Sequence, residues 1–453
     1  MKIVIPPLAI DISDGFKSDL DLFKRKPFGE SLTRLVTRSQ GDLVISLDGR
    51  WGEGKSTFIK MWQGHLLEAG IPSIYIDAFE NDYSEDAFIS IASAITSYVE
   101  ANGDATGKTT AFKESAKKVG VQLLSWSAKV AIKAATLGAL DKTDIESLTK
   151  IGDDVATAAS DAVSELIKDR LSAHAKQAAV ISTFKSELSL IPSKLTNNDS
   201  GLLVIVIDEL DRCKPTFSVE VLEKIKHFFS VPNVVFVLVM NKEQLEESIR
   251  SVYGVNIDAH TYLQKFIHIE TTLPKRAVFR GDSDLNIYSK RLLEIHAFEH
   301  WGDGRIIIEC MEPLAAHFNL SLRQLEKTYT NLAIIYSTSA KDNLRLVPII
   351  TFIATLKVVK PNLFRKLSSN QITYEELVQQ LGLPLTQSDD ISTRALFAIS
   401  EWLACCLLSE SELKAFGLND RASQINQSLW LSHIEPTRII SFFCEQLNMF
   451  SAN

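Results

Sequence analysis

The chain has 453 residues, 45% hydrophobic and 23% charged, with a formal net charge of −8. That length buries a large core without covalent staples and is enough for two or three domains. The acidic balance excludes a generally basic nucleic-acid binder, leaving only a local basic patch open to such a ligand. Five cysteines, Cys213, Cys310, Cys405, Cys406 and Cys444, form no CxxC pair and no metal-ligand spacing. This excludes a disulfide scaffold and fits a reducing compartment.

The N-terminal MKIVIPPLAIDISDG carries too short an apolar run for a secretory signal, so a cytoplasmic chain is expected. Residues 1–42 read as a lead-in, with a helix from about Pro27 that places Leu32, Leu35 and Val36 at helical spacing. A strand, Leu43 to Leu47, runs straight into a glycine-rich stretch, and Thr57 to Leu67 reads as a helix. A second strand covers Ser73 to Asp77, followed by a helix over Glu85 to Val99 with Ser84 as its N-cap. Residues 101–200 form a long helical insert. From Asp154 onwards Val155, Ala159, Ala162, Val163, Leu166 and Ile167 recur at helical spacing as an amphipathic face for the core or a partner. Val119 to Leu140 has the length of a membrane span, but Lys129 and Lys133 fall in its middle, and mid-span charges are costly. A soluble helix is expected there, and a membrane role is not. Asn197 to Gly201 closes the insert as a turn.

The continuous apolar runs Leu202–Ile207 and Val234–Met240 are what a parallel strand buried on both faces requires. Helices Ser218–Ser230 and Lys242–Val252 and a last strand at Phe266–Glu270 complete an α/β parallel sheet. From Pro274 the pattern is helical to the end. The expected division is 1–100 (lead-in and glycine-rich loop), 101–200 (insert), 201–274 (remaining core), 275–340 (helical lid) and 341–453 (α-helical C-terminal domain).

Gly49-Arg50-Trp51-Gly52-Glu53-Gly54-Lys55-Ser56 matches GxxxxGK[ST] between a strand and a helix, the context this P-loop motif needs. Its glycines let backbone N–H groups cradle phosphate oxygens, and the helix N-terminus adds partial positive charge. Lys55 is placed to neutralise the β- and γ-phosphates of an ATP-type nucleotide, and Ser56 to ligate Mg²⁺. Gly49, Trp51, Gly52, Glu53, Gly54 and Thr57 complete the expected cradle, with Trp51 packing beneath the phosphates. In Val206-Ile207-Asp208-Glu209-Leu210-Asp211-Arg212, Asp208 ends a buried strand, where ligands of open α/β sheets sit. Asp208 is the expected Mg²⁺ partner and Glu209 the general base for an attacking water. Asp211 and Arg212 read either as a solvated charge pair or as a subunit contact. Asn241, at the end of the next strand, either orients the water or closes the strand as a turn residue. Arg323, at a helix start, either reaches the γ-phosphate or is an exposed helix arginine. His65, His227, His260 and His268 form no metal-like cluster.

LDGRWGEGKST, YIDAFENDYSEDAF, VIVIDELDRC and YLQKFIHIETTLP together resemble the KAP-type P-loop NTPases over about residues 15–330. The resemblance implies the additional-strand class, in which the acidic strand is not adjacent to the P-loop strand, and places the family's lid arginine at Arg323. Through the soluble bacterial relatives it also implies a role in phage defence or plasmid-borne exclusion. Three functions compete: an ATP-driven switch or assembly subunit with a homo-oligomeric and a protein-effector partner, a slowly hydrolysing ATP-gated scaffold, and a small-molecule kinase. The Asp208–Glu209 pair argues against the kinase, because a Glu beside the metal-binding Asp activates water. Arg250, Arg276 and Arg280 are the candidate arginine fingers.

Overall fold

The computed structural model describes residues 1–6, 8–39, 42–83, 86–102, 110–119, 178–193, 195, 201–276, 283–341, 343, 345–386, 391–415 and 435–450. The amphipathic face from Asp154, the span-length stretch beyond Val119, Ser84 and Arg280 lie outside the described residues.

Strands β1 (Leu43–Asp48), β2 (Ser73–Asp77), β3 (Leu203–Asp208), β4 (Val234–Met240) and β5 (Ile269–Thr272) form one parallel sheet in the order β2-β3-β4-β1-β5. β4 separates the P-loop strand from the acidic strand, the arrangement of the additional-strand class. β3 and β4 are buried along their whole length, which is why their sequences are unbroken apolar runs. The last strand lies downstream of its expected place. Phe266 and Ile267 donate their N–H groups to Leu263 O as the closing turn of a short helix, and ladder bonding starts only when His268 N donates to Val44 O at 2.9 Å.

Helix α1 (Lys26–Arg38) and helix α2 (Lys55–Glu68) cover one face. Leu32, Val36, Phe58 and Trp62 pack there against Ile45, Leu47, Val206 and Val237. The buried Trp62 indole donates to Thr33 Oγ1 at 3.0 Å, so its one polar atom is satisfied. Leu35, expected on the inner stripe of α1, is exposed instead.

On the other face lie α3 (Ala78–Asn81), α4 (Ala87–Asn102), α5 (110–119), α6 (178–193), α7 (Pro215–Lys224), α8 (Lys242–Tyr253) and the short α9 (Ala259–Leu263). α4 begins behind Asp86, whose Oδ1 accepts from Phe88 N at 2.8 Å. α7 begins at Pro215, earlier than expected, because proline fits the first helical turn. The described ends of the insert, α5 and α6, are embedded in this core. The Phe184 ring centroid lies 5.1 Å from Phe88, 5.4 Å from Phe112 and 5.5 Å from Phe229. Phe184→Ala leaves an aromatic-sized void and is expected to cost about 3–5 kcal/mol, read as a lowered denaturant midpoint. An unchanged midpoint would remove the insert's ends from the core.

From Asp284 the described chain is helical. α10 (Asp284–His296), α11 (Gly304–His317), α12 (Leu322–Thr338) and α13 (Val347–Val359) begin a core that runs from Leu292 to Leu447 and crosses residue 340 without a break in packing. α13 is apolar nearly all round because its neighbours enclose it. Among the described residues no helix is long and apolar enough to cross a membrane.

Candidate nucleotide site

A parallel sheet brings all its carboxyl ends to one edge, and the chemistry-bearing residues sit there. β1 ends at Asp48, β2 at Asp77, β3 at Asp208 and β4 just before Asn241. The loop after β1 turns through left-handed backbone at Gly52 (φ 80°) and Gly54 (φ 82°), which L side chains adopt only under strain. A Cβ at Gly52 would also lie 2.5 Å from Arg323 Cβ. Glycine is therefore required there both by dihedral and by the close approach of α12.

Lys55 opens α2 and is 9% exposed. Its Nζ donates to Gly49 O at 2.5 Å and to Arg50 O at 3.2 Å. Burial pulls the ammonium pKa below its ordinary value, while the carboxylates of Asp211 and Asp208 act against that. The hydroxyl of Ser56, next in the chain, lies near enough to the Asp208 carboxylate to favour its charged form. Asp208 is 2% exposed. Its Oδ2 accepts from Tyr75 Oη at 2.9 Å and its Oδ1 from Glu209 N at 2.8 Å. Burial pushes its pKa up, and the Ser56 and Tyr75 hydroxyls pull it back. Tyr75 was not expected from sequence. Its only signal was register: it precedes Asp77, which stands opposite Asp208 in the β2–β3 ladder.

Ser56 and Asp208 thus meet, as two ligands of one small hard cation must. Among the described residues no group of three or more His, Cys, Asp or Glu side chains gathers as a metal cage. Mg²⁺ needs none, since it keeps several waters and takes one or two protein oxygens plus phosphates. The donor set fits it.

Glu209 follows in left-handed backbone (φ 60°), a kink that turns its side chain away from the strand direction. Its carboxylate pairs with the Arg212 guanidinium. Burial raises its pKa, Arg212 opposes that, and Asp208 adds to it. Asp211 is not a solvated partner of Arg212. It is buried at 9% exposure, and its Oδ2 accepts the indole N–H of Trp51. Trp51 is correspondingly not packed beneath the loop. It is 44% exposed, with its indole N–H bonded to Asp211.

Asn241 is 8% exposed at the head of α8 and makes no capping bond, while the next N–H, Lys242 N, donates to Asp48 Oδ1 at 2.8 Å. Glu53 is a strut. Its Oε1 accepts from Lys275 Nζ at 2.7 Å and Arg50 Nε at 3.2 Å. Burial raises the Glu53 pKa, but these two cations outweigh it and hold the carboxyl below its usual range. Thr57 is half-buried in the first turn of α2.

The helical region is seated on the loop. Arg323 N donates to Gly52 O at 3.3 Å, and Arg50 Nη2 donates to Asn319 O at 2.8 Å and Asn319 Oδ1 at 3.0 Å. The Arg323 residue itself is exposed. The lead-in contributes Arg25, 5% exposed, whose Nη1 donates to Glu53 O at 3.3 Å. A cleft of about 450 Å³ flanks the loop, lined by Asp48, Gly49, Arg50, Glu53, Asn241 and Lys275 among others. Of the candidate fingers, Arg250 pairs with Glu246 and Glu247 of its own helix, and Arg276 Nη2 donates to Phe23 O at 3.0 Å.

No curated protein matches the chain. Two solved structures of the Aeropyrum pernix ORC2 protein are similar at low level. The ADPNP–ADP complexes give a TM-score of 0.36 at 12% identity, and the ADP form 0.34 at 10%. Each alignment covers 98% of this chain and 96% of that one. The KAP family P-loop domain matches residues 25–361, from the lead-in arginine through the nucleotide loop and the acidic strand to the helices seated on them. The chain belongs to the KAP family of P-loop NTPases.

Proposed function

We propose that the protein is a Mg²⁺-dependent ATPase that works as a nucleotide-driven switch or assembly subunit. The observation that carries this reading is the meeting of Ser56 with Asp208, beside Lys55 and directly before Glu209. The glycine-turned loop offers backbone N–H groups to the phosphates, and Lys55 neutralises the β- and γ-phosphate charge. Ser56 and Asp208 hold Mg²⁺, which supplies charge neutralisation across the same phosphates. Glu209 takes a proton from the attacking water as its oxygen bonds to the γ-phosphorus. The bond from that phosphorus to the β–γ bridging oxygen breaks, leaving ADP and inorganic phosphate. Asn241 orients the water, and Arg323, on the helix that touches Gly52, reports the γ-phosphate to the helical region. Action as a homo-oligomer with a protein effector in phage defence belongs to the same proposal and is supported by the resemblance alone.

A second reading, a slowly hydrolysing ATP-gated scaffold, is favoured by one observation: the Glu209 carboxylate is engaged by Arg212. A base held in an ion pair is less available to water. Phosphate release from ATP and Mg²⁺, measured beside particle size with and without nucleotide, tests the proposal. Turnover with nucleotide-dependent assembly supports the switch. Assembly on ATP with no turnover selects the scaffold, and neither response would sink both.

A further inference from the structure

The P-loop strand and the acidic strand are not neighbours, since β4 lies between them. β4 is laddered to both and sets the spacing of their backbones, so direct contact between the phosphate loop and the acidic turn is made by side chains. Beside the meeting of Ser56 with Asp208, one hydrogen bond joins the loop itself to the turn after the acidic strand. The Trp51 indole N–H, on the outer turn of the loop, donates to Asp211 Oδ2 in the turn that follows β3, across 160 residues of chain.

We propose that Trp51 and Asp211 form a clip that positions the phosphate loop against the acidic strand, with Asp211 a positioning residue. The anchor is rigid. Asp211 sits in the turn Leu210–Arg212, where Arg212 N donates to Glu209 O at 3.1 Å. Ser218, fully buried, donates its hydroxyl to Leu210 O at 2.8 Å. A carboxylate at 9% exposure is costly without partners. Asp211 has the indole N–H, and it is also the strongest of the favourable charges acting on Lys55. Trp51, by contrast, keeps nearly half its surface in water, and its indole N–H has the Asp211 carboxylate as its partner. A phenylalanine in its position would keep the ring and lose the clip.

The test compares Trp51→Phe, Asp211→Ala, Asp211→Asn and the Trp51→Phe/Asp211→Ala double variant. Amide hydrogen exchange across residues 49–57 is followed in the nucleotide-free protein, with ATP affinity in Mg²⁺ measured alongside. Losing a charge-assisted hydrogen bond is expected to speed exchange by about tenfold in Trp51→Phe and in Asp211→Ala. The double variant should match either single one, because each removes the same bond. Asp211→Asn keeps an acceptor oxygen and should retain most of the protection. Parent-like exchange in Trp51→Phe, independent effects that multiply in the double variant, or an Asp211→Asn as fast as Asp211→Ala would each overturn the clip. If Asp211→Ala does not fold, Trp51→Phe and Asp211→Asn still decide it. The affinity arm rests on the proposed nucleotide function. The exchange arm does not, so a chain that binds no ATP can still pass or fail it.

Discussion

Lys55→Ala is expected to lose MgATP affinity and turnover by about 10²–10³-fold, the range for deleting one preorganised charge partner of a transferring group. Lys55 is buried among carboxylates, and its ammonium is bonded to Gly49 O and Arg50 O at the mouth of the loop. A buried cation at the mouth of the loop is placed to meet an anion brought there, beyond the carboxylates that already offset its desolvation. The substitution is expected to leave the fold intact, because the core on that face is built by Leu32, Val36, Phe58 and Trp62 against the sheet. Equilibrium titration with a fluorescent ATP analogue, alongside thermal unfolding, separates lost affinity from lost structure. Parent-like affinity in a folded Lys55→Ala protein would remove Lys55 from the phosphate site.

Glu209→Gln is expected to bind MgATP as the parent does and to slow turnover by about 10²–10⁴-fold, the usual contribution of a positioned general base. The amide keeps the volume and the left-handed backbone but cannot take a proton from water. It also dissolves the pair with Arg212, so Arg212 becomes free to contact phosphate or a partner. Under the switch reading this variant accumulates the ATP-bound assembly, visible as a larger particle on ATP that does not revert. Single-turnover phosphate release from prebound ATP measures the rate without interference from product release. A variant that turns over at the parent's rate would show that Glu209 is not the base, and Asp211 would be the next carboxylate to test.

Much of the fold was legible because parallel strands buried on both faces have no polar side to show. Leu202–Ile207 and Val234–Met240 could be little else. The loop was legible because the demands of a phosphate cradle, glycine at special dihedrals and a lysine at the helix head, are local in sequence. Other features depended on geometry that no local pattern carries. Phe266 and Ile267 look like strand residues, and only the helical turn from Leu263 takes them out of the ladder. The apolar stripe of α1 could not tell Leu32 and Val36 from Leu35, because the sheet's twist selects the inner face. Tyr75, Arg25 and Asn319 reach the site from 133, 28 and 269 residues away from their partners, by register and by the seating of the helical region. Trp51 and Asp211 were each visible, but their bond crosses the end of β4, which the sequence order of the strands does not reveal.

The central claim is that the edge where β1, β3 and β4 end holds a nucleoside triphosphate with Mg²⁺. Isothermal titration of the parent protein with ATP, with and without Mg²⁺, tests it most directly. A single saturable site per chain is expected, with a dissociation constant of roughly micromolar order, about −8 kcal/mol, weakened when Mg²⁺ is withheld. No saturable binding up to about millimolar ATP, a level worth only about −4 kcal/mol, would contradict it.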